Sequence, residues 1–196
     1  LSQINTETVS DLGLAWAIDL PTRDGLVGNP LISNGRIFQG GSQSQVFAND
    51  LKTGKLLWTY EPLADRPPGS FLETWLRSIN RGVALYEDLV IVGTSDCRLV
   101  AIDQATGGKR WEAETCDGKQ NYMITGAPRI GGGKVFIGNS CADMGLNRGH
   151  VDAVDARTGK HLWRFYTVPG DPGKPQDSEL YEMAVKTWGE GWYETT

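Results

Sequence analysis

Apolar residues come in short runs such as Leu89-Val90-Ile91-Val92 and Val135-Phe136-Ile137, each broken off by Gly, Asn or Asp. Runs of this length fit strands rather than helices, and the residues that break them are turn formers. The chain therefore reads as many short strands joined by tight turns.

A repeat organises these strands. Ala48 to Gly54, Ala101 to Gly107 and Ala153 to Gly159 share the pattern Ala-x-Asp-x-x-Thr-Gly, and their aspartates are 53 and 52 residues apart. Eight residues after each aspartate stands a tryptophan, namely Trp58, Trp111 and Trp163. The pattern predicts a strand ending at Asp, a turn over x-x-Thr-Gly and an antiparallel return through Trp. Asp accepts hydrogen bonds from the turn amides, Gly supplies positive φ, and Trp offers a broad surface to a neighbouring unit. Regular placement gives Asp50, Asp103 and Asp155 a structural role and not a metal-binding one. A second hairpin precedes each of these, around Asn34-Gly35, Glu87-Asp88 and Gly131-Gly132-Gly133.

Four antiparallel strands per unit at a period near 50 residues define a β-propeller blade. The expected blades cover residues 21–61, 78–116 and 123–167. Leu14-Ala15-Trp16-Ala17 looks like the last strand of a further blade. Residues 1–20 are therefore expected to form an orphan closing strand that completes a blade built elsewhere. Residues 168–196 read as a stiff loop at Pro169, Pro172 and Pro175, then a short helix after Ser178 that places Leu180, Met183, Ala184 and Trp188 at helical spacing. A ring needs roughly 4–8 blades. Three cannot close one, so the fold is expected to be an all-β propeller fragment whose remaining blades come from missing sequence or a second chain.

Composition adds exclusions. The 196 residues carry a net charge of −5 with no basic stripe, which argues against nucleic acid as a partner. No apolar stretch approaches the ~20 residues of a transmembrane segment. A Gly-x-Ser-x-Gly elbow and a phosphate loop are both missing, and His150 and His161 stand alone. A hairpin centred on Thr106-Gly107 places Cys97 opposite Cys116, so an oxidising compartment should give a disulfide there. Cys141 is left over with no partner at zinc-ligand spacing.

Several segments carry a family likeness: Leu12-Gly13-Leu14-Ala15-Trp16 near the start, Asn80-Arg81-Gly82-Val83, Thr125-Gly126-Ala127-Pro128-Arg129, Phe165 to Pro172, and Met183-Ala184 with Lys186-Thr187-Trp188. As an ordered set, running nearly end to end, they resemble the N-terminal part of alcohol dehydrogenases that depend on pyrroloquinoline quinone (PQQ). The resemblance implies an eight-bladed propeller in a periplasmic enzyme. PQQ would sit near the axis beside a calcium ion, and the enzyme would oxidise a small alcohol. It also implies that Arg81, Thr125 and Ser140 bind the cofactor and that Asp143 takes the place of a glutamate ligand to calcium. The catalytic aspartate and further calcium ligands belong to later blades, so this chain by itself is expected to hold no catalytic residue and no activity.

Two positions depart from the family pattern. Val27 stands where the family has a glutamate near the cofactor, and Trp75-Leu76 replaces an adjacent-cysteine pair. These departures keep two other readings open: a propeller that has lost its cofactor and serves as a protein-interaction scaffold, and a structural subunit of a split propeller.

Overall fold

A computed structural model describes residues 3–22, 24–63, 71–120, 122–140 and 148–189. Three four-stranded antiparallel sheets dominate it. The first contains β1 (Leu31–Ser33), β2 (Arg36–Gly40), β3 (Val46–Asp50) and β4 (Leu56–Tyr60), in chain order. The second contains β5 (Val83–Tyr86), β6 (Leu89–Gly93), β7 (Arg98–Asp103) and β8 (Lys109–Glu114). The third contains β9 (Arg129–Gly131), β10 (Lys134–Gly138), β11 (His150–Asp155) and β12 (His161–Tyr166). These are the expected blades. Their first strands lie side by side, β1 by β5 and β5 by β9, so the sheets fan from a common inner edge.

Strand alternation explains how the sheets stack, because successive side chains leave on opposite faces. Phe38, Val46 and Ala48 of the first sheet meet Val90, Val92, Val100 and Ile102 of the second. From the other face of the second sheet, Ile91, Leu99 and Ala101 meet Val135, Ile137 and Val154 of the third.

The repeat turns form as the sequence predicts. Asp50 Oδ1 accepts the Lys52 and Thr53 N–H groups at 3.0 and 2.8 Å and the Thr53 hydroxyl at 2.8 Å. Asp103 and Asp155 repeat this set with Ala105 and Thr106, and with Arg157 and Thr158. Hydrogen bonds from the threonine of each turn, hydroxyl and amide, hold all three carboxyls below the usual aspartate range.

Each turn also seats a tryptophan from the preceding unit. Gly54, Gly107 and Gly159 have φ of +72°, +75° and +76°, and a Cβ on them would lie 2.5 Å from Trp16, 2.8 Å from Trp58 and 2.7 Å from Trp111. Only glycine satisfies both the left-handed backbone and the bare surface. Trp16 and Trp58 add Nε1 hydrogen bonds to the carbonyls of Leu51 and Gln104, at 3.1 and 3.2 Å. Trp163 has no such seat among the described residues and is 41% exposed.

Trp16 thus occupies the same kind of seat as Trp58 and Trp111, but residues 12–20 form no strand. A strand exists through its hydrogen-bonded neighbour, and among the described residues no strand pairs with residues 12–20, so the closing strand expected at Leu14–Ala17 for a blade built elsewhere is without a partner here. A helix that the sequence did not announce, α1 (Phe71–Leu76), lies between the first and second sheets in chain order. The tail helix does form as α2 (Glu179–Val185). It is pinned by Tyr181, whose hydroxyl donates to the Tyr166 carbonyl and accepts the Tyr166 N–H, each at 2.8 Å. Neither helix is long and apolar enough to cross a membrane.

The second blade is stapled internally and clamped to the third. The Cys97–Cys116 disulfide is present, across the hairpin predicted to hold it. Next to it, Thr115 presents its carbonyl to Arg164 Nη2 at 2.7 Å and to His150 Nε2 at 3.1 Å. Both side chains also hold Asp152, which is only 1% exposed and receives a third contact from His161 at 2.6 Å. Burial pushes the Asp152 carboxyl up, but hydrogen bonds from His150, Arg164 and His161 outweigh it and leave the group below its ordinary value.

Gly107→Ala should destabilise the fold by about 1–3 kcal/mol, through positive φ and collision with Trp58, read as a lower denaturant midpoint. Asp152→Asn should cost about 1–3 kcal/mol near neutral pH, since it removes the charge from a buried acceptor of several hydrogen bonds, one of them from the Arg164 guanidinium. A lowered folded-state pKa means that the stabilisation is present above the unfolded value of about 4 and lost as pH falls through the folded one. Unfolding free energy followed from pH 7 down to about pH 3 should therefore fall less steeply in the variant than in the parent.

Candidate functional site

The candidate site lies where the inner edges of the blades converge. Glycines make the approach tight there. A Cβ on Gly28 would lie 2.8 Å from Gly82 Cα, and one on Gly40 would lie 2.7 Å from Asn80 Oδ1. An isolated parallel bridge between Asn29 and Gly82 ties the entry of the first blade to the second. The second blade is tied to the third by the Arg81 N–H, which donates to the Thr125 carbonyl at 3.0 Å. Ser140, just past β10, is held by its own N–H on the Met123 carbonyl at 2.6 Å.

These backbone ties bring three of the four sequence-predicted site residues together. Arg81 Nη1 donates to Thr125 Oγ1 at 2.5 Å, and Thr125 Oγ1 and Ser140 Oγ are 2.9 Å apart. Thr125 is buried, whereas Arg81 is exposed and its other guanidinium nitrogens have no partner among the described residues. The three line a depression of about 410 Å³ together with Asn139 and Arg129. Asp143, the fourth, lies outside the described residues. Among the described residues no group of three or more His, Cys, Asp or Glu side chains converges as a metal site.

The chemistry of this wall is one-sided. Among the described residues two guanidinium groups, two hydroxyls and an amide line it, and no carboxylate does. Asn139 is a donor with no signal in the sequence beyond its place beside Ser140. Its Oδ1 accepts the His150 N–H at 2.7 Å, which fixes the amide orientation, and its buried Nδ2 has no partner among the described residues. A donor-rich surface fits a ligand bearing carboxylate and carbonyl oxygens, which guanidinium and hydroxyl groups bind well. PQQ, a quinone tricarboxylate, has that chemistry.

The departures from the family pattern are not among the residues that line this depression. Val27 adjoins Gly28 and is 57% exposed. Trp75 and Leu76 end α1. Leu76 packs on Met123, the residue whose carbonyl holds Ser140, while Trp75 is 60% exposed. Sequence reasoning marked these positions but did not foresee the helix that carries them.

Three four-stranded sheets that fan from a common inner edge define the class as β-propeller. The family described as glucose/ethanol/alcohol dehydrogenase, β-propeller domain (PQQ) matches residues 1–192, and the chain belongs to that family. Lupanine 17-hydroxylase (cytochrome c) of a Pseudomonas species is 50% identical over 197 residues, covering 100% of this chain and 28% of that protein. The crystal structure of quinohemoprotein alcohol dehydrogenase from Comamonas testosteroni superposes with a TM-score of 0.86 at 43% identity, covering 98% of this chain and 29% of that one. A europium-containing methanol dehydrogenase gives a TM-score of 0.73 at 30% identity over 86% of this chain and 29% of that one. The chain thus spans little more than a quarter of the length of these relatives.

Thr125→Val keeps the volume of the side chain but removes the hydroxyl that joins Arg81 to Ser140. It should lower unfolding free energy by about 1 kcal/mol, as read by chemical denaturation.

Proposed function

We propose that this chain supplies three blades, and one side of the cofactor site, of a periplasmic PQQ-dependent dehydrogenase that oxidises alcohols. The observation that carries this reading is the Arg81–Thr125–Ser140 chain of hydrogen bonds at the inner edge of the propeller. When bound, PQQ would supply the hydride acceptor for the alcohol and calcium a Lewis acid. Arg81 would hold an anionic or carbonyl oxygen of the cofactor through the guanidinium nitrogens that have no partner among the described residues. Thr125 fixes the Arg81 Nη1 direction, and Ser140 offers its hydroxyl to the same ligand. Asp143 contributes an oxygen ligand to calcium, a hard cation that takes carboxylates. The catalytic base comes from blades outside this sequence, as does the rest of the substrate pocket, so the three blades alone turn over nothing.

A second reading is a cofactor-free propeller acting as an interaction scaffold. Val27 and Trp75, both exposed and standing where the family pattern has a glutamate and one of a cysteine pair, favour it.

The test uses the complete propeller, reconstituted with PQQ and calcium and assayed by dye reduction with small alcohols. Binding and alcohol-dependent turnover are expected, chelation of calcium should abolish turnover, and Arg81→Ala should weaken PQQ binding by about 10–100-fold. Failure of both binding and turnover would leave the scaffold reading in possession.

A further inference from the structure

Arg81 is aimed by its neighbour. Asn80 is 2% exposed, and its side-chain amide spans the backbone on both sides of the step that carries Arg81. Its Oδ1 accepts the Gly82 N–H at 2.9 Å, and its Nδ2 donates to the Gly93 carbonyl at the end of β6 at 3.3 Å. The amide orientation is thus set by its partners, because an N–H must face oxygen and a carbonyl must face nitrogen. The surrounding glycines are shaped around this clip. Gly82 has φ of +122°, and Gly40 of the first blade leaves 2.7 Å between a would-be Cβ and Asn80 Oδ1. With the Arg81 N–H on the Thr125 carbonyl, residue 81 has its backbone pinned on both sides and only its side chain free to reach the depression.

We infer that Asn80 is a positioning residue for the ligand site: it fixes the direction from which the Arg81 guanidinium enters the depression and touches no ligand itself. Only a primary amide does this. An aspartate would turn an oxygen toward the Gly93 carbonyl, and an aliphatic side chain would leave the buried Gly82 N–H and Gly93 carbonyl unpaired. The inference rests on the reading of Arg81 as a cofactor contact.

A double-mutant cycle in the complete propeller separates the two claims. PQQ affinity is measured by titration for the parent, Asn80→Ala, Arg81→Ala and the double variant, with the unfolding midpoint of each recorded alongside. Asn80→Ala should weaken PQQ binding about tenfold in the parent and by less than about twofold when Arg81 is already alanine, since it acts through that side chain. Equal weakening in both backgrounds would mean that Asn80 supports the fold in general or meets the ligand directly, and would overturn the inference while the cofactor reading stood. An Arg81→Ala variant that binds PQQ as the parent does, or a parent that does not bind it, would overturn the cofactor reading and the inference with it. If Asn80→Ala does not fold, Asn80→Ser carries the same comparison.

Discussion

The architecture depends on a flat indole lying against a glycine that no other residue could replace. The Thr-Gly turn must use left-handed backbone to close, so its residue is glycine for a local reason. That same lack of a side chain opens a bare surface on which the tryptophan of the preceding unit comes to rest. One residue choice therefore satisfies a turn and a joint between blades together. The turn that forms the seat is stapled by its own aspartate and threonine, so local chemistry in one blade shapes the surface that meets the tryptophan of the preceding unit.

What the sequence made legible follows from this coupling. Asp, Thr, Gly and Trp recur at fixed spacing because each does one job in each blade, so the sheets, the turn chemistry and the Cys97–Cys116 pairing could be read from spacing alone. Helix α1 could not. It occurs once, carries no repeat, and is held partly by tertiary packing of Leu76 on Met123. The Asp152 clamp was equally hidden. Its members, His150, Asp152, His161 and Arg164, come together only when the register of β11 and β12 and the position of Thr115 in the second blade are known. Trp16 was readable as a joint residue because it sits in a familiar tetrapeptide, but strand formation around it depends on a neighbour that this chain does not place there.

The candidate site shows the same division. Arg81, Thr125 and Ser140 stand out through family likeness, and the structure adds why they meet: three backbone ties at a glycine-lined inner edge leave their side chains within hydrogen-bond reach. Asn80 and Asn139 carry no signal by type, since a buried amide looks like any other Asn in a sequence. Their meaning lies in partners fixed elsewhere, in Gly93 and in His150. Among the described residues the wall collects donors without a carboxylate, which gives that part of it a single electrostatic sense.

Trp16 also gives the assembly a direction. By resting on Gly54 it occupies the place that a tryptophan from any outside blade would need on the first sheet, while Trp163 on the third sheet remains unseated among the described residues. The stack of three blades therefore has two unlike ends, one with its indole seat filled and one with an indole that has no seat among the described residues.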